Sequence, residues 1–232
     1  MSPAARPPFS EDASLTGTPS PAPPRNPLRR LCLWMLKALG WRTVLAPFPG
    51  PKGVVVVYPH TSNWDFVLGM LYRLGHGVAV HWLGKDSLFR WPFGGLLKRL
   101  GGIPVDRRAP RGAIRAIADE FARREFMWLA LAPEGTRAHT DHWKSGFYQI
   151  ALAADVPCAL GYIDYPRRTL GIDASLRFTG DVEADLDRIR AFYADKKGLR
   201  PDQASDIRFR VPAVPAPGDG AQSPGLPNSD SS

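Results

Sequence analysis

His60 and Asp65 stand five positions apart in the stretch Pro59-His60-Thr61-Ser62-Asn63-Trp64-Asp65, directly after the apolar run Val54–Val57. An imidazole held by a carboxylate at one nitrogen can take a proton through the other. No serine or cysteine of the protein is needed if the hydroxyl that loses the proton belongs to the substrate. A histidine satisfied by a helix-capping aspartate has the same spacing, and the pair alone favours that plainer reading.

The elements around the pair bear on the choice. Val54–Val57 reads as a buried strand. Ser62 or Asn63 can cap a helix that starts near Trp64 and runs to about Leu74. That places His60 at the exit of the strand and Asp65 in the first helical turn. Two more polar clusters follow strand-like runs. Gly101-Gly102-Ile103-Pro104-Val105 leads into Asp106-Arg107, and Phe126–Leu131 leads into Ala132-Pro133-Glu134-Gly135-Thr136-Arg137. In isolation, Arg107 is one more solvated cation beside Arg108 and Arg111. Glu134–Arg137 alone is a tight turn with a surface ion pair.

Further strands are expected over Val78–Leu83, Val156–Ile163 and Thr169–Phe178. Helices are expected over Pro110–Arg124, with Ile114, Ile117 and Phe121 on one face, and over Trp143–Ala154. Asp181 caps a last helix that turns Val182, Leu186, Ile189 and Tyr193 inward, and Gly198 and Pro201 stop it. Strands alternating with helices predict an α/β fold, a single domain with a mostly parallel or mixed sheet flanked by helices. His60, Arg107 and Glu134–Arg137 each follow the carboxyl end of a strand. In an open α/β sheet that edge is where ligands bind, so the active site is expected there.

The chain has 232 residues, 44% of them hydrophobic, enough for one substantial core. Its formal charge of +8 suits an anionic partner such as a membrane surface, a phosphate-bearing substrate or nucleic acid. No recognised nucleic-acid motif is present, so nucleic acid is not an expected partner. Cys32 and Cys158 are far apart and read as thiols in a reducing compartment. No apolar stretch of about 18 residues occurs, and residues 1–20 lack the pattern of a secretory signal. Together these predict a cytoplasmic protein bound peripherally to a membrane.

Residues 1–25 and 211–232 are rich in Pro, Ala, Ser and Gly and are expected to be disordered tails around a domain over 26–210. Pro27–Gly40 reads as a basic amphipathic helix with Leu28, Leu31, Cys32, Met35 and Leu39 on one stripe. It either lies in a membrane interface or packs that stripe on the core. From Lys85 to Arg124 there are ten Lys/Arg against four Asp/Glu. Lys85–Arg99 within it is either a solvated basic face or a lid or membrane-facing segment beside the site. His139, Asp141 and His142 read as loop residues, and no metal is expected.

In order, these blocks resemble the glycerolipid acyltransferase family, which contains the 1-acyl-glycerol-3-phosphate acyltransferases. His60 and Asp65 match its first motif and Gly101–Arg107 its second. Pro133–Arg137 matches its third letter for letter. Val156-Pro157 matches only the start of its fourth, with Leu160 where a second proline would stand. Pro59 replaces a frequent asparagine. The resemblance covers about Val54–Leu160. It implies acyl transfer from acyl-CoA or acyl carrier protein to a lysophospholipid-like hydroxyl, with 1-acyl-glycerol-3-phosphate the favoured acceptor, in phospholipid biosynthesis. A phosphate-free lyso-lipid acceptor and a non-catalytic lipid-binding module are the alternatives. It further implies His60 as base and Asp65 as its orienting partner, with Arg107, Glu134, Gly135, Thr136 and Arg137 at the substrate. Transfer would be direct, with no cofactor beyond the thioester co-substrate.

Overall fold

A computed structural model describes residues 26–90, 92–105 and 110–210. Both tails and Arg107 lie outside the described residues. The first helix, α1, spans Pro27–Ala38, with the Asn26 side chain accepting from the Leu28 N–H at its start. It is followed by β1 (Arg42–Leu45), β2 (Lys52–Val57), α2 (Trp64–His76) and β3 (Val80–Lys85). A single 3-10 turn (Asp86–Phe89) leads to α3 (Gly94–Arg99) and β4 (Gly102–Val105). Then come α4 (Pro110–Arg123), β5 (Met127–Leu131), α5 (Gly146–Ala153), β6 (Cys158–Asp164), β7 (Thr169–Leu176) and α6 (Val182–Tyr193).

The seven strands form one sheet in the order β1-β7-β6-β2-β5-β3-β4. β6, β2, β5, β3 and β4 run parallel, β7 is antiparallel to β6, and β1 is parallel to β7. The expected mixed α/β sheet is therefore present. Its central strand is β2, buried on both faces, which is why Val54–Val57 reads as an unbroken apolar run rather than an alternation. Val54 and Val56 face a core made with Phe121 of α4, Phe147 and Ile150 of α5, and Leu186 and Ile189 of α6. Val55 faces the opposite core, with Leu36 of α1 and Leu68 and Tyr72 of α2.

Several boundaries moved for identifiable reasons. Trp143 does not open α5. Its backbone bridges to Phe209, its N–H donates to the Arg208 carbonyl, and its ring is buried in the core. Val156 ends the preceding turn, its N–H donating to Ala151, before β6 begins. Asp181 does cap α6, accepting from the Ala184 N–H, but Val182 stays exposed. The four-residue β1 carries no clear alternation and exists through its pairing with β7. Within the basic segment, Asp86–Phe89 is a 3-10 turn and Gly94–Arg99 a short helix, with the Phe89 ring packed against Gly84, Gly102 and Trp82.

Of the α1 stripe only Cys32 points inward, together with Leu36, which lies off it, and Leu33 meets Gly75 where α1 crosses α2. Leu28, Leu31, Met35 and Leu39 face outward with Trp34, which is 64% exposed. Arg29 leaves the basic face to donate to the carbonyls of Gly75 and His76, the last turn of α2. Core packing and an exposed apolar face thus coexist on one helix. Among the described residues, no helix is long and apolar enough to cross a membrane.

Candidate active site

Three neighbouring parallel strands, β6, β2 and β5, end at one edge of the sheet, and the chain just beyond each end contributes to a single constellation. After β2, the chain turns through Pro59–Asn63 into α2. Ser62 Oγ accepts from the Trp64 N–H at 3.2 Å, while Asn63 makes no side-chain cap bond. Asp65 folds back over this turn, and its Oδ2 accepts from the N–H groups of Thr61 at 2.9 Å and Ser62 at 2.8 Å. The helix start thus orients the carboxylate through its otherwise unpaired backbone donors.

The same Oδ2 lies 3.2 Å from Nδ1 of His60. Asp65 is only 3% exposed, whereas the His60 side chain retains 19% exposure. Nε2 of His60 has no partner among the described residues. Capping and pairing with the imidazole are therefore not alternatives here, because one carboxylate does both. Its other oxygen, Oδ1, accepts from the Tyr165 hydroxyl at 2.7 Å, from just beyond β6.

From β5 comes Glu134, 1% exposed. One carboxylate oxygen accepts from the His60 backbone N–H at 2.7 Å and the other from the Ser205 N–H at 3.2 Å. Glu134 is a strut under the histidine loop, and the Ser205 hydroxyl adds to the two backbone donors on it. Burial raises it to about 7, against the two N–H donors that favour its charge, and the nearby Asp65 adds to the rise. The strut continues into the C-terminal segment. The Tyr58 hydroxyl donates to the Ser205 carbonyl, and the Arg200 N–H donates to Thr61 Oγ1.

Gly135 follows at φ 65°, a left-handed turn that suits glycine. A Cβ there would lie 2.6 Å from the Lys144 ammonium nitrogen, so the lysine side chain covers the turn. Thr136 and Arg137 are exposed, and Arg137 pairs with no carboxylate among the described residues. The structure thus brings His60, Asp65, Glu134 and Gly135 together, leaves Arg137 on the rim, and does not describe Arg107. His142 pairs with Asp141 on an exposed loop, and among the described residues no three His, Cys, Asp or Glu groups cluster. The sequence reading missed Tyr165, Lys144 and Ser205. Tyr165 carried the same signal as His60, a position just past a strand, but only the strand order sets that strand beside β2.

His60 and Asp65 also line an apolar cavity of about 220 Å³ between α2 and the sheet. The void exists because small residues meet there, Gly69 of α2 over Ala130 of β5 and Gly161 of β6. Val57, Met70 and Leu83 supply much of its wall.

An imidazole paired to a buried carboxylate thus stands beside an apolar cavity at the carboxyl edge of a mixed sheet. The chain belongs to the acyltransferase family, whose model matches residues 44–163, just over half of the sequence. That match bears out the resemblance read from the motifs. Among solved structures, a crystal structure of the 1-acyl-sn-glycerophosphate (LPA) acyltransferase PlsC from Thermotoga maritima is similar. It is 17% identical, with a TM-score of 0.47, over 72% of this chain and 73% of that one. No curated protein matches the chain significantly.

Proposed function

We propose that the protein transfers a fatty acyl group from a thioester, acyl-CoA or acyl carrier protein, to the hydroxyl of a lysophospholipid-like acceptor. The leading acceptor is 1-acyl-glycerol-3-phosphate, and the setting is phospholipid synthesis at the cytoplasmic face of a membrane. The observation that carries this reading is Nε2 of His60, unpartnered among the described residues, its ring held by a buried carboxylate at the wall of an apolar cavity.

His60 Nε2 takes the proton of the acceptor hydroxyl as that oxygen bonds to the thioester carbonyl carbon. Asp65 stabilises the imidazolium that forms. The C–S bond then breaks, and the imidazolium returns its proton to the departing sulfur. An ester and a free thiol result, with no acyl-enzyme. The cavity supports the reading because its apolar walls suit a fatty chain. Arg137 on the rim and Lys144 across the Gly135 turn support a phosphate on one of the substrates, as guanidinium and ammonium groups both bind phosphate oxygens. The exposed apolar face of α1 supports a membrane setting.

The test is mass spectrometry of products from purified protein given both donor types and a panel of lyso-lipids, phosphate-free ones included. His60→Ala should lower turnover by about 10²–10⁴ with the fold retained, the usual contribution of a general base. Turnover within a few-fold of the parent would remove His60 from the role of base.

A further inference from the structure

We infer that Tyr165 is a positioning residue for acyl transfer, setting the plane of the Asp65 carboxylate from the neighbouring strand. The inference rests on the proposed role of His60 and Asp65. It begins from the bonding of that carboxylate. Oδ2 is committed to three groups, the N–H donors of Thr61 and Ser62 and the imidazole of His60. Oδ1 has a single donor among the described residues, the Tyr165 hydroxyl at 2.7 Å. With Asp65 3% exposed, water has little access to replace that donor. A carboxylate held at only one oxygen can turn about its Cβ–Cγ bond and exchange the atom that faces the histidine. Held at both, it presents Oδ2 to Nδ1 in one orientation.

Tyr165 is itself held firmly. It opens the turn between β6 and β7, where its N–H donates to the Lys197 carbonyl and its carbonyl accepts from the Arg168 N–H. The Trp41 ring meets its ring edge-on at 5.0 Å between centroids. Burial, reinforced by the hydrogen bond to Asp65 and by its charge, pushes its phenol well above the ordinary value, so it stays a donor at neutral pH. The residue lies just beyond the segment matched by the family model and in none of the motifs that carry the resemblance. β6 is adjacent and parallel to β2, and that register brings its carboxyl end beside Asp65, 100 positions away in sequence.

Tyr165→Phe removes the hydroxyl and keeps the ring against Trp41. The loss of a hydrogen bond to a charged group corresponds to about ten- to a hundredfold. The expected result is a fall in kcat of about tenfold or more, with both KM values within twofold and the melting temperature nearly unchanged. In a background carrying Asp65→Asn, where the carboxylate is gone, Tyr165→Phe should lower the remaining rate by less than twofold. A kcat within twofold of the parent would overturn the inference. So would a loss confined to KM, or the same fold-loss in both backgrounds, since each means that Tyr165 does not act through Asp65. His60→Ala, assayed alongside, separates the two claims. Activity surviving in His60→Ala overturns the proposed base, whereas a dead His60→Ala beside an active Tyr165→Phe overturns only the role of Tyr165.

Discussion

Gly69 gives the sharpest test of where the acyl chain lies. It sits in the middle of α2 and lines the cavity, and a Cβ built there meets nothing within 4 Å. A side chain at this position therefore enters empty space rather than colliding with backbone. Gly69→Ala serves as the control. A glycine inside a helix costs about 0.5–1 kcal/mol relative to alanine, so the alanine variant should gain about that much stability, a rise of roughly 1–4 °C in melting temperature. Gly69→Leu should project branched methyl groups into a cavity of about 220 Å³ and shorten the space beside α2. Each methylene of a donor kept out of the cavity forfeits about 0.8 kcal/mol, close to fourfold in kcat/KM. Exclusion of two methylenes is then worth about fifteenfold. The assay is kcat/KM across a homologous series of saturated thioester donors. The preferred chain should shorten in Gly69→Leu, with short donors used as well as by the parent. An equal loss for all lengths, or an unchanged preference in a folded variant, would show that the chain does not run along α2.

Two further expectations complete the set. Glu134 is raised to about 7 from a reference of 4.5, so between those values the folded state binds more protons than the unfolded one. Its contribution must then fall as pH rises from about 4.5 through 7, by at most about 3 kcal/mol. Urea unfolding of the parent and of Glu134→Gln at both ends of that window should show a smaller pH difference in the variant, and an unchanged difference would assign the slope to another group. On α1, Leu31→Asp should weaken binding to anionic vesicles by tenfold or more, since a buried leucine is worth about 1.5–3 kcal/mol. Leu31 is exposed, so melting should hardly move, and undiminished flotation with vesicles would take α1 out of the membrane contact. Removing the whole of α1 is a poorer probe, because Cys32 and Leu36 are part of the core.

Local chemistry made much of this protein legible in its sequence. Val54–Val57 read as a buried strand because a strand covered on both faces can be apolar at every position, and the structure buries all but the partly exposed Val57. The start of α2 near Trp64 and the capping of α6 by Asp181 followed from short polar side chains beside apolar runs. His60 and Glu134 stood out because each falls just past such a strand, and Asp65 because it falls in the first turn of the helix that follows.

Tertiary structure decided what depends on strand order and on packing between distant segments. Whether Asp65 capped a helix or held a histidine was undecidable from spacing, and the fold lets one oxygen do both. Periodicity records which residues of α1 are apolar, not which side the fold will cover; packing took Cys32 of the stripe, and Leu36 from beside it, and left Leu28, Leu31, Met35 and Leu39 outside. Glu134 was legible as a site residue, but only the fold shows its oxygens accepting from the backbone N–H of His60 and of Ser205, 71 residues further on. Tyr165 was one aromatic among many until β6 paired beside β2. The cavity had no sequence signature at all, since Gly69, Ala130 and Gly161 are small residues on three separate elements, and a void appears only where packing superimposes them.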